Sequence, residues 1–140
     1  MPSTKERVLF VCTGNRARSQ MAEGLLRHLA GDRFEAYSAG TQPSGLAAAT
    51  IEMMREIGID VSGHRSKHVD EFRDEKFDYV ITVCDQAAEV CPTFPGARRR
   101  VHWSVRDPFD RQSFRTARDD LRARIEKFVA ERSGERENFP

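Results

Sequence analysis

The chain has 140 residues, 39% of them hydrophobic and 32% charged, which is the composition of one well-packed globular domain. Its 23 basic and 22 acidic residues nearly cancel, leaving +1, and this argues against a nucleic acid or anionic membrane held on a broad basic face. No apolar run approaches the roughly 20 residues that span a bilayer, and the polar opening Met-Pro-Ser-Thr-Lys-Glu-Arg carries no export signal, so a cytoplasmic address is expected.

Along the chain, residues 7–11 read as a buried strand, 19–30 as a helix, 34–39 as a second strand and 46–57 as a second helix. Between Gly58 and Asp74 the pattern dissolves into turn signals, and Phe77 to Val83 then gives a third strand. Arg98-Arg99-Arg100 reads as a solvated turn ahead of a short fourth strand, Val101 to Val105. The last helix runs from about Ser113 to Arg132, with Phe114, Ala117, Leu121, Ile125, Phe128 and Val129 on one face, and the residues after Gly134 read as frayed. Strands alternating with helices predict an α/β fold, a four-stranded parallel sheet covered on both faces. One domain over residues 1–140, with its core within 6–133, is expected.

Ligands of such sheets bind outside the carboxyl ends of the strands. Cys12 follows the first strand, Ser38 closes the second, Cys84 follows the third and Asp107 lies just past the fourth, so the four are expected at one rim. The loop Thr13, Gly14, Asn15, Arg16, Ala17 and Arg18 has the size and position of an anion cradle. Its backbone N–H groups point inward at a helix N-terminus, and Arg18 can grip two oxygens of an oxyanion. The same field favours thiolate at Cys12, which reads as a nucleophile with Ser19 as a hydrogen-bond donor to it. Asp107, stiffened by Pro108, stands where a general acid would protonate a departing oxygen.

Cys84 and Cys91 bracket Asp-Gln-Ala-Ala-Glu-Val, good helix formers stopped by Pro92. Two helical turns hold the pair about 10 Å apart along the axis, beyond the ~7 Å between Cα atoms that a disulfide tolerates. Joining them would require unwinding, which reads as a redox switch. Two small buried apolar residues is the equally simple reading. Three cysteines and four histidines lack the spacing of a zinc site. His28 and His64 read as surface or loop residues, and His102 beside Trp103 as a packed strand residue.

The string Cys12-x5-Arg18-Ser19 resembles the anion loop of the low-molecular-weight protein tyrosine phosphatases, and Gln20-Met-Ala-Glu-Gly24 resembles their relatives, the thioredoxin-coupled arsenate reductases. The likeness extends to Ser38-Ala-Gly40, Val83-Cys84, Cys91-Pro92 and His102-Trp103 leading to Asp107-Pro108, and so covers nearly the whole chain. It implies a flavodoxin-like sheet, Cys12 as nucleophile, Arg18 as oxyanion ligand and Asp107 as general acid. It further implies arsenate reduction through a Cys12–Cys84–Cys91 disulfide relay regenerated by thioredoxin, with no bound cofactor; a monomer is expected. Two departures stand out. A further loop cysteine of many such reductases is replaced by Ala17, next to a second loop arginine, Arg16. A potassium site of some relatives resembles Asn15, Glu23 and Ser38, but Lys67 replaces its acidic member. The resemblance leaves two alternatives: a phosphatase of tyrosine or arginine phosphates using Cys12, Arg18 and Asp107, for which aromatic Phe109 speaks and Gln20 does not, or a non-catalytic oxyanion or redox sensor.

Overall fold

A computed structural model describes residues 5–91, 94 and 97–137. The apolar run after Glu6 forms strand β1, Glu6–Cys12, which is followed by α1, Arg18–Ala30. β2 is Phe34–Gly40 and α2 is Ala48–Arg55, and a short 3-10 turn at Val69–Phe72 leads to β3, Tyr79–Thr82. α3, Asp85–Val90, β4, Arg99–His102, and the long α4, Arg111–Glu137, complete the chain. The strands lie in the order β2-β1-β3-β4, all parallel, with Phe10 opposite both Ser38 and Ile81. This is the parallel four-stranded sheet that the alternation of strands and helices predicted, in the flavodoxin-like arrangement that the resemblance implied.

Strand alternation sorts the side chains by face. Phe34 and Tyr79 meet Phe128 of α4 at 5.5 and 5.0 Å between ring centroids, and Phe10 meets Trp103, so α4 covers that face. α1 covers the same face, where Glu23 reaches Ser38 of β2. On the other face Tyr37 packs edge-on against Phe72 and Phe77, and Phe77 against Phe94. α2 is tied to α4 by Glu56, which accepts from Arg115 and from Arg118; these guanidinium groups hold its carboxyl at about 2.

Several boundaries move. β4 begins two residues before its expected start and ends at His102, because it is an edge strand whose outer rim is dressed with arginines rather than apolar residues. Arg99 and Arg100, expected in a turn, are therefore strand residues. Ser104 and Val105 leave the sheet, and the Val105 carbonyl turns to Arg18 instead. α4 continues past Gly134 to Glu137, since a single glycine costs a helix only about 1 kcal/mol and good helix formers follow it. Pro92 and residues 138–140 lie outside the described part.

Candidate active site

The loop between β1 and α1 owes its shape to where its carbonyls go. Cys12, Thr13 and Gly14 carbonyls accept from the backbone N–H groups of Thr41, Gln42 and Ser44 at 3.2, 2.8 and 2.9 Å. Those of Asn15 and Arg16 accept from Gln20 Nε2 at 3.2 Å and Thr50 Oγ1 at 2.8 Å. Five successive carbonyls thus face outward, and turning them out aims the loop's N–H groups inward as an anion nest. Gly40 makes this packing possible, because a Cβ there would lie 2.6 Å from the Thr13 carbonyl and 2.9 Å from the Asn15 nitrogen.

Cys12 Sγ lies 2.8 Å from Ser19 Oγ and accepts from the Asn15 N–H at 3.2 Å, so the thiol is oriented from two sides. Arg18 donates to the Val105 carbonyl at 2.9 Å and pairs with Asp107 at 3.5 Å. Cys12, Gly14, Arg18, Gln42, Ser44 and Asp107 line one cleft of about 340 Å³. Cys84 caps α3 by accepting the Ala87 N–H, and its sulfur lies 3.3 Å from Thr13 Oγ1 of the loop. Cys12, Cys84 and Asp107 therefore share a rim, while buried Cys91 closes the far end of α3. Burial pushes the Cys91 thiol upward, with Arg100 opposing. Ser38 departs from its expected place: β2 runs two residues past it to Gly40, and Ser38 points into a buried network beneath the loop rather than onto the rim.

That network centres on Asn15, which is fully buried at φ 46°. Its amide donates to Ser19 Oγ and Ser38 Oγ at 2.8 and 3.0 Å, and its carbonyl oxygen accepts from Gln20 Nε2 and the Lys67 N–H, both at 3.0 Å. Ser38 donates onward to Glu23 at 2.6 Å, and Glu23 pairs with Arg27 at 2.7 Å. Lys67 donates to the Arg65 carbonyl at 2.9 Å with its ammonium 3.8 Å from Glu23, and burial lowers its proton affinity. These residues do not fit a monovalent metal ion: Asn15 turns its NH2 to Ser38, Ser38 spends its proton on Glu23, and two cations already face that carboxylate. Among the described residues no three His, Cys, Asp or Glu side chains gather as a metal site.

His64 is the member that sequence reasoning missed. Expected at the surface or in a loop, it does lie in a loop, but its side chain is only 11% exposed; nothing local to residue 64 signals this burial, because its partners come from α1. Nε2 accepts from Arg27 at 3.0 Å, so Nδ1 carries the proton and donates to Gln20 Oε1 at 2.9 Å. His102 also differs from expectation: it sits exposed on the edge strand, joining Thr82 to Asp85. Burial first, and the Arg27 and Lys67 charges with it, push His64 below its ordinary value against the pull of Glu23 and Asp60. The unfolded chain then binds this proton first, so stability is full above about pH 6.5 and falls as pH drops from there to the lowered native value. Urea midpoints should fall more between pH 7.5 and 5.5 in the wild type than in His64→Gln; equal falls would remove His64 from the titration.

A family model described as low molecular weight phosphotyrosine protein phosphatase matches residues 7–138. An arsenate reductase of Halalkalibacterium halodurans is 40% identical over 133 residues, covering 89% of this chain and 96% of that protein. Arsenate reductase 2 of Staphylococcus epidermidis is 38% identical over 126 residues, with 89% and 96% covered. A solved arsenate reductase in the phosphate binding state superposes with a TM-score of 0.82 at 33% identity, covering 90% of this chain and 98% of that one. A thioredoxin-dependent arsenate reductase of Corynebacterium glutamicum superposes at 0.76 and 30% identity, covering 94% of this chain and 63% of that one. With its anion loop, its sheet and nearly its whole length matched, the chain belongs to the low molecular weight phosphotyrosine protein phosphatase family.

Proposed function

We propose that the protein reduces arsenate to arsenite with three thiols and draws its electrons from thioredoxin. The placement of Cys84 carries this reading: its sulfur abuts the anion loop at Thr13 and heads the six-residue helix that ends at Cys91. Hydrolysis of a phosphate ester needs neither thiol. The relatives named as arsenate reductases at 38–40% identity support the same choice.

Arsenate enters with its oxygens on the loop N–H groups and the Arg18 guanidinium. The Cys12 thiolate, oriented by Ser19, attacks arsenic while Asp107 protonates the departing hydroxide, which leaves as water. Cys84 then attacks the Cys12 sulfur. The sulfur–arsenic electron pair stays on arsenic, arsenite departs, and a Cys12–Cys84 disulfide remains. Attack of Cys91 on Cys84 frees the Cys12 thiolate and moves the disulfide to Cys84–Cys91, which requires α3 to unwind. The thioredoxin dithiol reduces that bond. No bound cofactor enters, and we place the protein in the cytoplasm, where thiols stay reduced. A monomer fits the surface, on which Phe109 is the exposed large apolar side chain among the described residues. No described helix is long and apolar enough to cross a membrane.

Arsenate-dependent NADPH oxidation with thioredoxin and thioredoxin reductase tests the proposal. A protein silent in that assay but efficient on an aryl phosphate would be a phosphatase. Phe109, 81% exposed and next in the chain to Pro108, which lines the cleft, gives that second reading its support, and weak phosphatase activity is expected in either case. Lys67 stands in the proposed function where an ion of some relatives would sit. Exchanging sodium for potassium at equal ionic strength should therefore change turnover by less than about twofold, since screening is then the same and the ammonium already fills the place of a specific ion; a steep, specific potassium activation would defeat this assignment.

A further inference from the structure

If Cys91 is to reach Cys84, something must hold α3 shut at rest and let it open during turnover. α3 has only six residues, too few to persist alone. Two side chains of β4 hold it. Arg100 and His102, two residues apart, project from the same face of the strand. Arg100 donates to the Ala88 carbonyl at 2.8 Å. The usual partner of that carbonyl, four residues on, is Pro92, which has no N–H to give. Arg100 thus supplies a bond that Pro92 cannot. His102 Nε2 donates to Asp85 Oδ1 at 2.8 Å at the opposite end of α3, while its Nδ1 is fixed by buried Thr82 at 2.8 Å. Asp85 answers to the clasp: its carboxyl is held below the usual range by His102 first and Ser104 second.

We propose that Arg100 and His102 form a two-point clasp by which β4 holds α3 helical, and that its release sets how readily the Cys84–Cys91 disulfide forms. Both are positioning residues, and the idea rests on the relay proposed above. Arg100 has a second effect in the same step. Its charge favours the thiolate of Cys91, the form that attacks, so one guanidinium retains the helix and readies the sulfur at its end.

The test uses the full chain with Cys12→Ser, so that Cys84 and Cys91 are the thiols left. Equilibration against glutathione consumes one oxidised glutathione and releases two reduced ones per disulfide formed, and alkylation followed by mass spectrometry reads the ratio. Adding Arg100→Met and His102→Gln should raise the disulfide-to-dithiol ratio about tenfold, the worth of two modest hydrogen bonds. Amide exchange at residues 87–91 of the reduced protein should quicken by a similar factor. Arg99→Met, on the opposite face of β4, should change neither, although it removes the same charge from the same strand. Unchanged amide exchange in the double variant would overturn the clasp, whatever the thiols do. Faster exchange with no Cys84–Cys91 disulfide in any protein would overturn the proposal through the relay instead, leaving a clasp with nothing to gate.

Discussion

Cys91→Ser should complete about one arsenate reduction per chain and then stop, because the Cys12–Cys84 disulfide left behind has no internal thiol to move it outward. The earlier steps of the proposed relay do not involve Cys91, which sits at the far end of α3 from the anion loop. Cys84→Ser should stop one stage sooner, with arsenic bound to Cys12 and no arsenite released. Cys12→Ser should do neither. Counting arsenite per chain in the absence of thioredoxin, and NADPH consumption in its presence, separates the three. Sustained turnover by Cys91→Ser would mean that thioredoxin reaches the Cys12–Cys84 bond directly, and the third thiol would return to the status of a core residue.

The largest stability effect should come from a residue that never touches substrate through its side chain. Asn15→Ala removes four hydrogen bonds from a fully buried site and leaves the Lys67 N–H without its partner, while Ser38 keeps Glu23 and Gln20 keeps the Asn15 and Arg65 backbone carbonyls. Each hydrogen bond lost is worth about 1 kcal/mol, so the four together imply a loss on the order of 4 kcal/mol. The backbone adds to this, since φ at Asn15 is 46°, where asparagine is at home and alanine is not. Asn15→Gly loses the same bonds without the strain and should recover about 1 kcal/mol relative to alanine. Turnover should fall by more than about a hundredfold in both, because a loop whose N–H groups lose their aim no longer matches the oxyanion. Urea unfolding gives the stabilities. Wild-type midpoints in both variants would show that the outward carbonyl bonds hold the loop unaided.

The sheet was legible because β1 and β3 are buried on both faces and read as unbroken apolar runs. β4 was legible only in part. An edge strand needs no apolar rim, so Arg99 and Arg100 carried the signal of a turn while forming the ladder opposite Tyr79 and Val80. The loop from Cys12 to Ser19 was legible since the pieces of an anion nest are consecutive in sequence. The network beneath it was not, because it is made of long-range polar pairs. His64 meets Gln20 across 44 residues, and neither position bears a periodicity or spacing that betrays the other. Ser38 illustrates the same limit at shorter range: it could be assigned to the end of β2, but whether it faced the rim or the interior depended on a strand end two residues away.

The burial of Cys91 also bears on survival between turnovers. Peroxide and similar oxidants attack thiolates that they can reach, and a sulfur carried to sulfinic acid is lost for good. Cys91 is 8% exposed and its proton is held more tightly than in a free thiol, so in the resting protein it is a poor target. In the proposed relay it becomes reactive only as α3 opens, when a partner sulfur is already at hand and a repairable disulfide is the outcome. Oxidative stress in the absence of arsenate should therefore find the last thiol of the chain out of reach.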